Sequence, residues 1–229
     1  MPLVPASAVK SSIRRDQLSQ ESAPKAESNH FQVRRSLAYR IRLPLTAVCV
    51  LIGVAFAVVS RPAISPPTRL GGGILFSGVL LVGSGIALRL WALACISERK
   101  TRELVTTGPY SLCRNPLYIG TLFIVTGFGA IWLNVFLAVM LLPPIVLYCF
   151  GVVPAEERVL RQTFGAEYDT YCRRTSRWIP SLATYVGGAL SLRSIGVKQE
   201  AQSSLWWIGF AGLSCWLTIQ REDASWILF

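Results

Sequence analysis

Charge and imidazole are what this sequence has least of. Lysine, arginine, aspartate and glutamate make up only 15% of its 229 residues, against 52% hydrophobic ones. A soluble chain of this length needs more charge to coat its surface, so the composition points to a membrane protein. The one histidine, His30, lies in a polar N-terminal stretch. That excludes most metal sites and any Ser–His or Cys–His mechanism. None of the six cysteines is paired as C-x-x-C, and several sit inside apolar runs. They read as reduced thiols, with neither a disulfide framework nor a zinc site. Acidic residues are scarce as well, 12 against 23 Lys and Arg, for a net charge of +11. The basic residues fall in the polar segments between apolar runs, so the expected acidic partner is an anionic lipid leaflet and not nucleic acid.

What remains is mostly long apolar runs, and the expected architecture is an all-α, polytopic membrane helix bundle. It has four to five transmembrane helices and an amphipathic helical segment on the cytoplasmic side. Residues 1–42 are polar, lack a helical stripe and read as a disordered basic cytoplasmic tail; their charged region is too long for a signal peptide. Leu43–Ser60 is a first span, followed by the proline-laden loop "RPAISPPTR". Leu70–Ile96 is a second, with a glycine-rich first half that allows close helix approach. Apolar character from Leu117 to Val153 is too long for one crossing and breaks near Trp132–Asn134, which fits two short spans in a tight hairpin. Gly165 supplies a helix stop after "PAEERVLRQTF". Leu205–Ile219 is either a fifth span or an interfacial helix, and residues 220–229 form a C-terminal tail. With the N-terminus inside, the basic residues of the tail, of residues 99–114 and of residues 158–198 all face the cytoplasm.

Two helix starts are expected on that side. In "RNPLY", Asn115 is a good N-cap and Pro116 suits the first helical position. A helix start holds anions, and Arg114 adds a full positive charge beside it. The simpler account is that Arg114 only anchors the helix to headgroups. A second start is expected at Pro154, with Glu156 and Glu157 in its first turn, where acidic residues favour the helix dipole. Opposed to each other, the two starts make a pocket with one end for a carboxylate and the other for an ammonium or ribose.

These residues also carry a family likeness. "RELVTTGPYSLCRNPLYIG", followed after a membrane hairpin by "EERVLRQTFGAEYDTYCRR" and "IP", resembles the isoprenylcysteine carboxyl methyltransferase family and its relatives, the phospholipid N-methyltransferases. The likeness spans about residues 89–180, the cofactor-binding core of a domain covering 43–219. It implies an integral membrane methyltransferase that uses S-adenosyl-L-methionine at its cytoplasmic face. Carried over by position, Arg102, Glu103, Leu104, Val105 and Tyr110 line the cofactor. So do Asn115, Pro116, Leu117 and Tyr118, with Glu156 closing the far side. Arg114 and Glu157 are the candidate catalytic residues, and no metal is implied.

Two positions depart from the family pattern. Asn115 stands where "RHPxY" has histidine; an amide still donates a hydrogen bond but cannot become cationic. Val152 stands where the enzymes acting on prenylated proteins have an arginine that gathers the substrate carboxylate. The expected acceptor is a lipophilic small molecule or lipid arriving from the bilayer. A carboxylate acceptor needs no base, whereas an amine would rely on Glu157 or water. The alternatives are a phospholipid N-methyltransferase, a sterol-reductase-like enzyme using NADPH, and an inactive membrane scaffold. Arg89, inside the second span, either snorkels to the interface or has a function there. Trp206 and Trp207 mark an interface, and Tyr168 and Tyr171 are expected to pack the amphipathic helix.

Overall fold

In the computed structural model, residues 37–60, 62–96, 103–191 and 195–220 are described; among them all regular structure is helical. Helix α1 runs Leu37–Val59 and α2 Arg69–Ile96. A short α3, Pro109–Leu112, precedes α4, Pro116–Ile131. A continuous helical rod then covers Val135–Phe164. It is built from α5 (Val135–Met140), α6 (Leu142–Val146), a π-helical turn (Leu147–Val152) and α7 (Val153–Phe164). After Gly165 come α8 (Ala166–Arg174), a 3₁₀ turn (Leu182–Thr184) and α9 (Ile195–Gln220).

Three of these helices, α1, α2 and the rod, are long and apolar enough to cross a membrane, and α4 is a shorter apolar one. The closing helix α9 is long enough but less apolar. It begins at Ile195, well before the expected Leu205. Helix α1 begins at Leu37 and carries Pro44 within it, so the expected boundary at residue 43 lies inside a helix. The hairpin turn falls at Trp132–Asn134 as anticipated. Asn134 caps α5 by accepting from the Leu137 N–H at 3.0 Å and donates to Ser60 Oγ at 2.8 Å.

The closest packing is between α2 and α4. Glycines make it possible. A Cβ placed on Gly85 would lie 2.5 Å from the Gly120 carbonyl oxygen, and one on Gly120 2.8 Å from the Gly85 carbonyl. Gly78 and Gly127 repeat the arrangement two turns away, at 2.8 and 2.7 Å. Around this seam Val82, Ile86, Ile124, Phe128 and Ile131 form a core against Ala211 of α9. Without a hydrophobic driving force between helices in lipid, such backbone approach supplies the dispersion contacts that hold them.

Arg89 does not snorkel. Its guanidinium binds Glu200 of α9 with two hydrogen bonds, at 2.6 and 2.9 Å, and donates to Thr121 Oγ1 of α4 at 2.6 Å. One arginine therefore joins α2, α4 and α9. An intramembrane charge persists when it is paired, and Glu200 meets that need.

Candidate functional site

The turn "GPY" sets the site's geometry. Gly108 has φ +62°, and a Cβ there would sit 2.7 Å from Cys95 Sγ. Only glycine fits that conformation and that gap together. The chain then makes the single turn α3, and segment 176–191 wraps around it. Gly108 N–H donates to the Val186 carbonyl at 2.7 Å, Ser181 N–H to Leu112 at 3.1 Å and Arg114 N–H to Ser176 at 2.8 Å. Ser111 Oγ accepts from the Val186 N–H at 2.9 Å. Tyr171 Oη donates to the Tyr110 carbonyl at 2.6 Å, so Tyr171 packs the core as expected.

Several residues expected around the cofactor come together. Val105 and Tyr110 are buried with Ala92 and Cys95, and Leu117 packs against them. The Tyr110 hydroxyl is buried and makes no hydrogen bond among the described residues. Glu103 is exposed and Leu104 half-buried at the edge of this group, and Arg102 lies outside the described residues. Pro116 is buried at the first position of α4 as expected.

Asn115 occupies the N-cap position, but its side chain does not cap. Its amide instead donates to Glu157 Oε1 at 3.2 Å and to the Arg177 carbonyl at 3.3 Å. Glu157 is the centre of this cluster. Arg177 donates to both its oxygens, at 2.6 and 3.1 Å, and Arg114 Nε lies 3.5 Å from Oε1. The Glu157 side chain is 9% exposed, Arg114 14% and Arg177 42%. The carboxylate is thus enclosed by two hydrogen-bond donors and a second arginine at ion-pair distance, an arrangement suited to holding the loop, α4 and α7 together. Arg114 Nε is buried and makes no hydrogen bond among the described residues, so its tie to Glu157 is an ion pair alone.

The second expected helix start does not exist. The backbone runs helically through Val152 and Val153, so Pro154 lies inside a continuous rod and exposes no free N–H groups. A proline removes one helical hydrogen bond, and the wide π turn immediately before it absorbs the defect. The two glutamates also part company. Glu157 turns to the arginines, while Glu156 lies near enough to the Tyr118 and Tyr110 hydroxyls to bear on both.

Tyr118 has a second neighbourhood. With Thr46, Thr121, Leu122, Val125, Leu141, Pro144, Ile145, Tyr148, Cys149 and Trp178 it lines an almost wholly apolar cleft between α1, α4 and the rod. Its ring stands 5.8 Å from that of Tyr148. One residue therefore joins an apolar cleft to a carboxylate.

Sequence reasoning missed Arg177, Thr121 and Glu200. Arg177 carries no motif signal of its own. Glu200 had one: an arginine inside a span requires an acid, and the chain has only 12.

Burial raises the Cys113 thiol from 9.0 to about 11 and also raises the Tyr110, Tyr168 and Tyr171 hydroxyls. A group raised in the folded state stabilises it fully below its unfolded value and loses that contribution as pH climbs through the folded one. For Cys113 the folded protein should therefore lose stability between pH 9 and about pH 11, with the tyrosines extending the loss upward. Thermal unfolding in detergent across that range, with Cys113→Ser showing a shallower decline, measures it; a flat profile refutes it.

Among the described residues no group of three or more His, Cys, Asp or Glu comes together as a metal site. No solved structure shows a significant match to the chain. A family model of phospholipid methyltransferases matches residues 73–167. The nickel-cobalt-cadmium resistance protein NccN of Alcaligenes xylosoxydans xylosoxydans is 33% identical over 175 residues, 76% of this chain and 81% of that one. The cobalt-zinc-cadmium resistance protein CzcN of Cupriavidus metallidurans is 34% identical over 139 residues, 60% of this chain and 64% of that one. Protein-S-isoprenylcysteine O-methyltransferase B of Arabidopsis thaliana is 35% identical over 94 residues, 37% of this chain and 43% of its own. The chain belongs to the phospholipid methyltransferase family, the isoprenylcysteine carboxyl methyltransferase-like family that its two motifs resemble.

Proposed function

We propose that this protein is an S-adenosyl-L-methionine-dependent membrane methyltransferase whose acceptor is a lipophilic molecule, with the site at the cytoplasmic face. The observation that carries the reading is Tyr118, which lines the apolar cleft and lies beside Glu156, itself near the Tyr110 cluster. The residues fit the cofactor. Val105, Leu117 and Ala92 offer an apolar wall, and the orphaned Tyr110 hydroxyl offers a polar contact within it. Glu156 suits a cationic or ribose group. When bound, the cofactor supplies an activated methyl group on a positively charged sulfur.

The chain's own residues contribute alignment, desolvation and electrostatics. Glu156, beside Tyr118, favours positive charge at that end of the cleft. The cleft walls exclude water and align an amphiphile with its head toward Tyr118. A carboxylate acceptor would arrive already ionised and leave no proton to be moved. That suits a site where Glu157, engaged by Arg114, Arg177 and Asn115, is occupied in holding the fold. Two of the relatives are named for metal resistance.

Equilibrium binding of S-adenosyl-L-methionine against NADPH, followed by methyl-label transfer to total lipid extract, tests this. The expected results are binding of the first and a labelled organic-soluble product that releases methanol in base. Glu156→Gln should weaken cofactor binding about tenfold or more, the scale of a charge-assisted hydrogen bond. NADPH binding without transfer would establish the reductase alternative. No cofactor binding, and no phenotype for Glu156→Gln, would establish the scaffold.

A further inference from the structure

The segment that follows α8 is turned inside out for a chain in water. Between Trp178 and Ser191 no side chain carries a charge, although both flanks are basic. Its polar groups face inward. Gly108 N–H donates to the Val186 carbonyl, Thr184 Oγ1 to the Ser111 carbonyl at 2.7 Å, and Ser191 N–H to the Ala94 carbonyl of α2 at 2.9 Å. Its large apolar side chains face outward: Leu182 is 85% exposed, Ile179 77%, and Tyr185, Val186 and Leu190 more than half. An exposed apolar row of this extent marks a protein or membrane contact.

Two observations set the row beside lipid. Trp178 lines the cleft between α1, α4 and the rod, so the segment starts against helices long and apolar enough to cross a membrane. Further on, the Tyr185 ring stands 6.2 Å from that of Trp91. Trp91 lies about 7.5 Å along the axis from the end of α2 at Ile96. A helix of 28 residues is about 42 Å long against a hydrocarbon core of about 30 Å, so about 6 Å of α2 projects at each end. Trp91 and Tyr185 therefore stand at the hydrocarbon boundary, the level at which Trp and Tyr are enriched.

We propose that residues 178–191 form an interfacial strap, whose outward apolar side chains sink into the head-group–acyl boundary of an anionic phospholipid leaflet at the Ile96 end of α2. The proposal rests on the helices lying in a membrane and is independent of the methyltransferase reading. Charge complementarity selects the lipid. Arg173 and Arg174 stand exposed just before the strap and Lys198 just after it, so an uncharged apolar row is bracketed by cations. That is the pattern of an interfacial segment on acidic head groups. A second copy of the chain would add like charge to the same surface. Continuity points the same way, since the strap begins at the cleft and ends against α2. The contact also has a consequence for the site. The strap's inner face is hydrogen-bonded to Gly108, Ser111 and Leu112, so lipid that holds its outer face braces the turn around Tyr110.

Nitroxide depth measurements on the full-length protein in nanodiscs test this. Labels go on Leu182→Cys and Val186→Cys, with Leu51→Cys on the exposed face of α1 as the lipid reference and Glu167→Cys on α8 as the water reference. Unsubstituted protein labelled in parallel corrects for its own cysteines. Collision rates with oxygen, which concentrates in lipid, and with a nickel chelate, which stays in water, give the depth. Both strap labels should shift from the water reference toward the lipid one in nanodiscs of phosphatidylcholine with phosphatidylglycerol. Replacing Arg173 and Arg174 together by Gln should move the Leu182 label back toward water there, and leave it unchanged in phosphatidylcholine alone. Strap labels as open to the nickel chelate as the one at residue 167 overturn the proposal. So do labels shielded from both reagents, which would mean that a second copy or another protein covers the row. An equal response of the double variant in the two lipids overturns the head-group contact.

Discussion

Glu157→Leu should destabilise the folded protein by about 3 kcal/mol, among the largest losses available from one side chain outside the helix seam. The carboxylate accepts from Asn115 and from Nε and Nη2 of Arg177, and Arg114 closes to 3.5 Å. Removing it leaves Arg114, only 14% exposed, as a charge that water reaches poorly. The neighbouring substitutions should follow exposure. Arg177→Ala should cost about 1 kcal/mol or less, because that side chain is 42% exposed and its ion pair is screened. Glu157→Gln should fall between, keeping an acceptor for Asn115 but losing the charge. Unfolding in mixed detergent micelles gives the ordering, and activity gives a second, independent reading. A residue that holds the fold changes stability while leaving the pH profile of kcat in place. If Glu157→Gln were as stable as wild type and instead shifted that profile, Glu157 would be a base and the holding role would be wrong.

The largest expected effect lies at the α2–α4 seam. A leucine at Gly85 must place its Cβ where the Gly120 carbonyl oxygen is 2.5 Å away, and backbone cannot rotate aside as a side chain can. The helices would have to separate along their whole contact, taking with them the Ile124 and Phe128 packing around the seam. Overpacking a close-packed site costs about 1–3 kcal/mol even where side chains can adjust, so Gly85→Leu should exceed that and abolish recovery of monodisperse protein. Gly85→Ala is the quantitative probe. It should destabilise measurably, and combined with Gly120→Ala it should cost less than the two single changes added, because both act by opening one gap. Additive costs would mean that the two glycines do not face each other.

The seam also governs the proposed chemistry. Arg89, which joins α2 to α4 and α9, lies one turn beyond Gly85 on α2, and its side chain packs against Gly120. Separating the helices would move Thr121, a cleft residue, away from Arg89. Loss of helix packing and loss of the apolar cleft should therefore appear together.

Much of this was legible in residue order. Long apolar runs, proline-rich breaks and the Asn134 turn placed the helices, because a chain in lipid must satisfy its backbone within each segment. "GPY" and "RNP" marked two turns of the candidate site, because glycine and proline constrain local geometry whatever surrounds them. Adjacency was the misleading part. Two neighbouring glutamates looked like one acidic wall, and Pro154 looked like a helix start. Instead a π turn carries the helix straight through the proline. On a helix, successive side chains diverge by about 100°, so Glu156 and Glu157 face different partners. Only the tertiary structure decided that Asn115 binds a carboxylate and does not cap, and that Arg177 and Glu200 supply the missing counter-charges. The physical reason is common to both. Local sequence determines which backbone conformations are cheap, but a buried charge is satisfied by whatever the fold brings within reach.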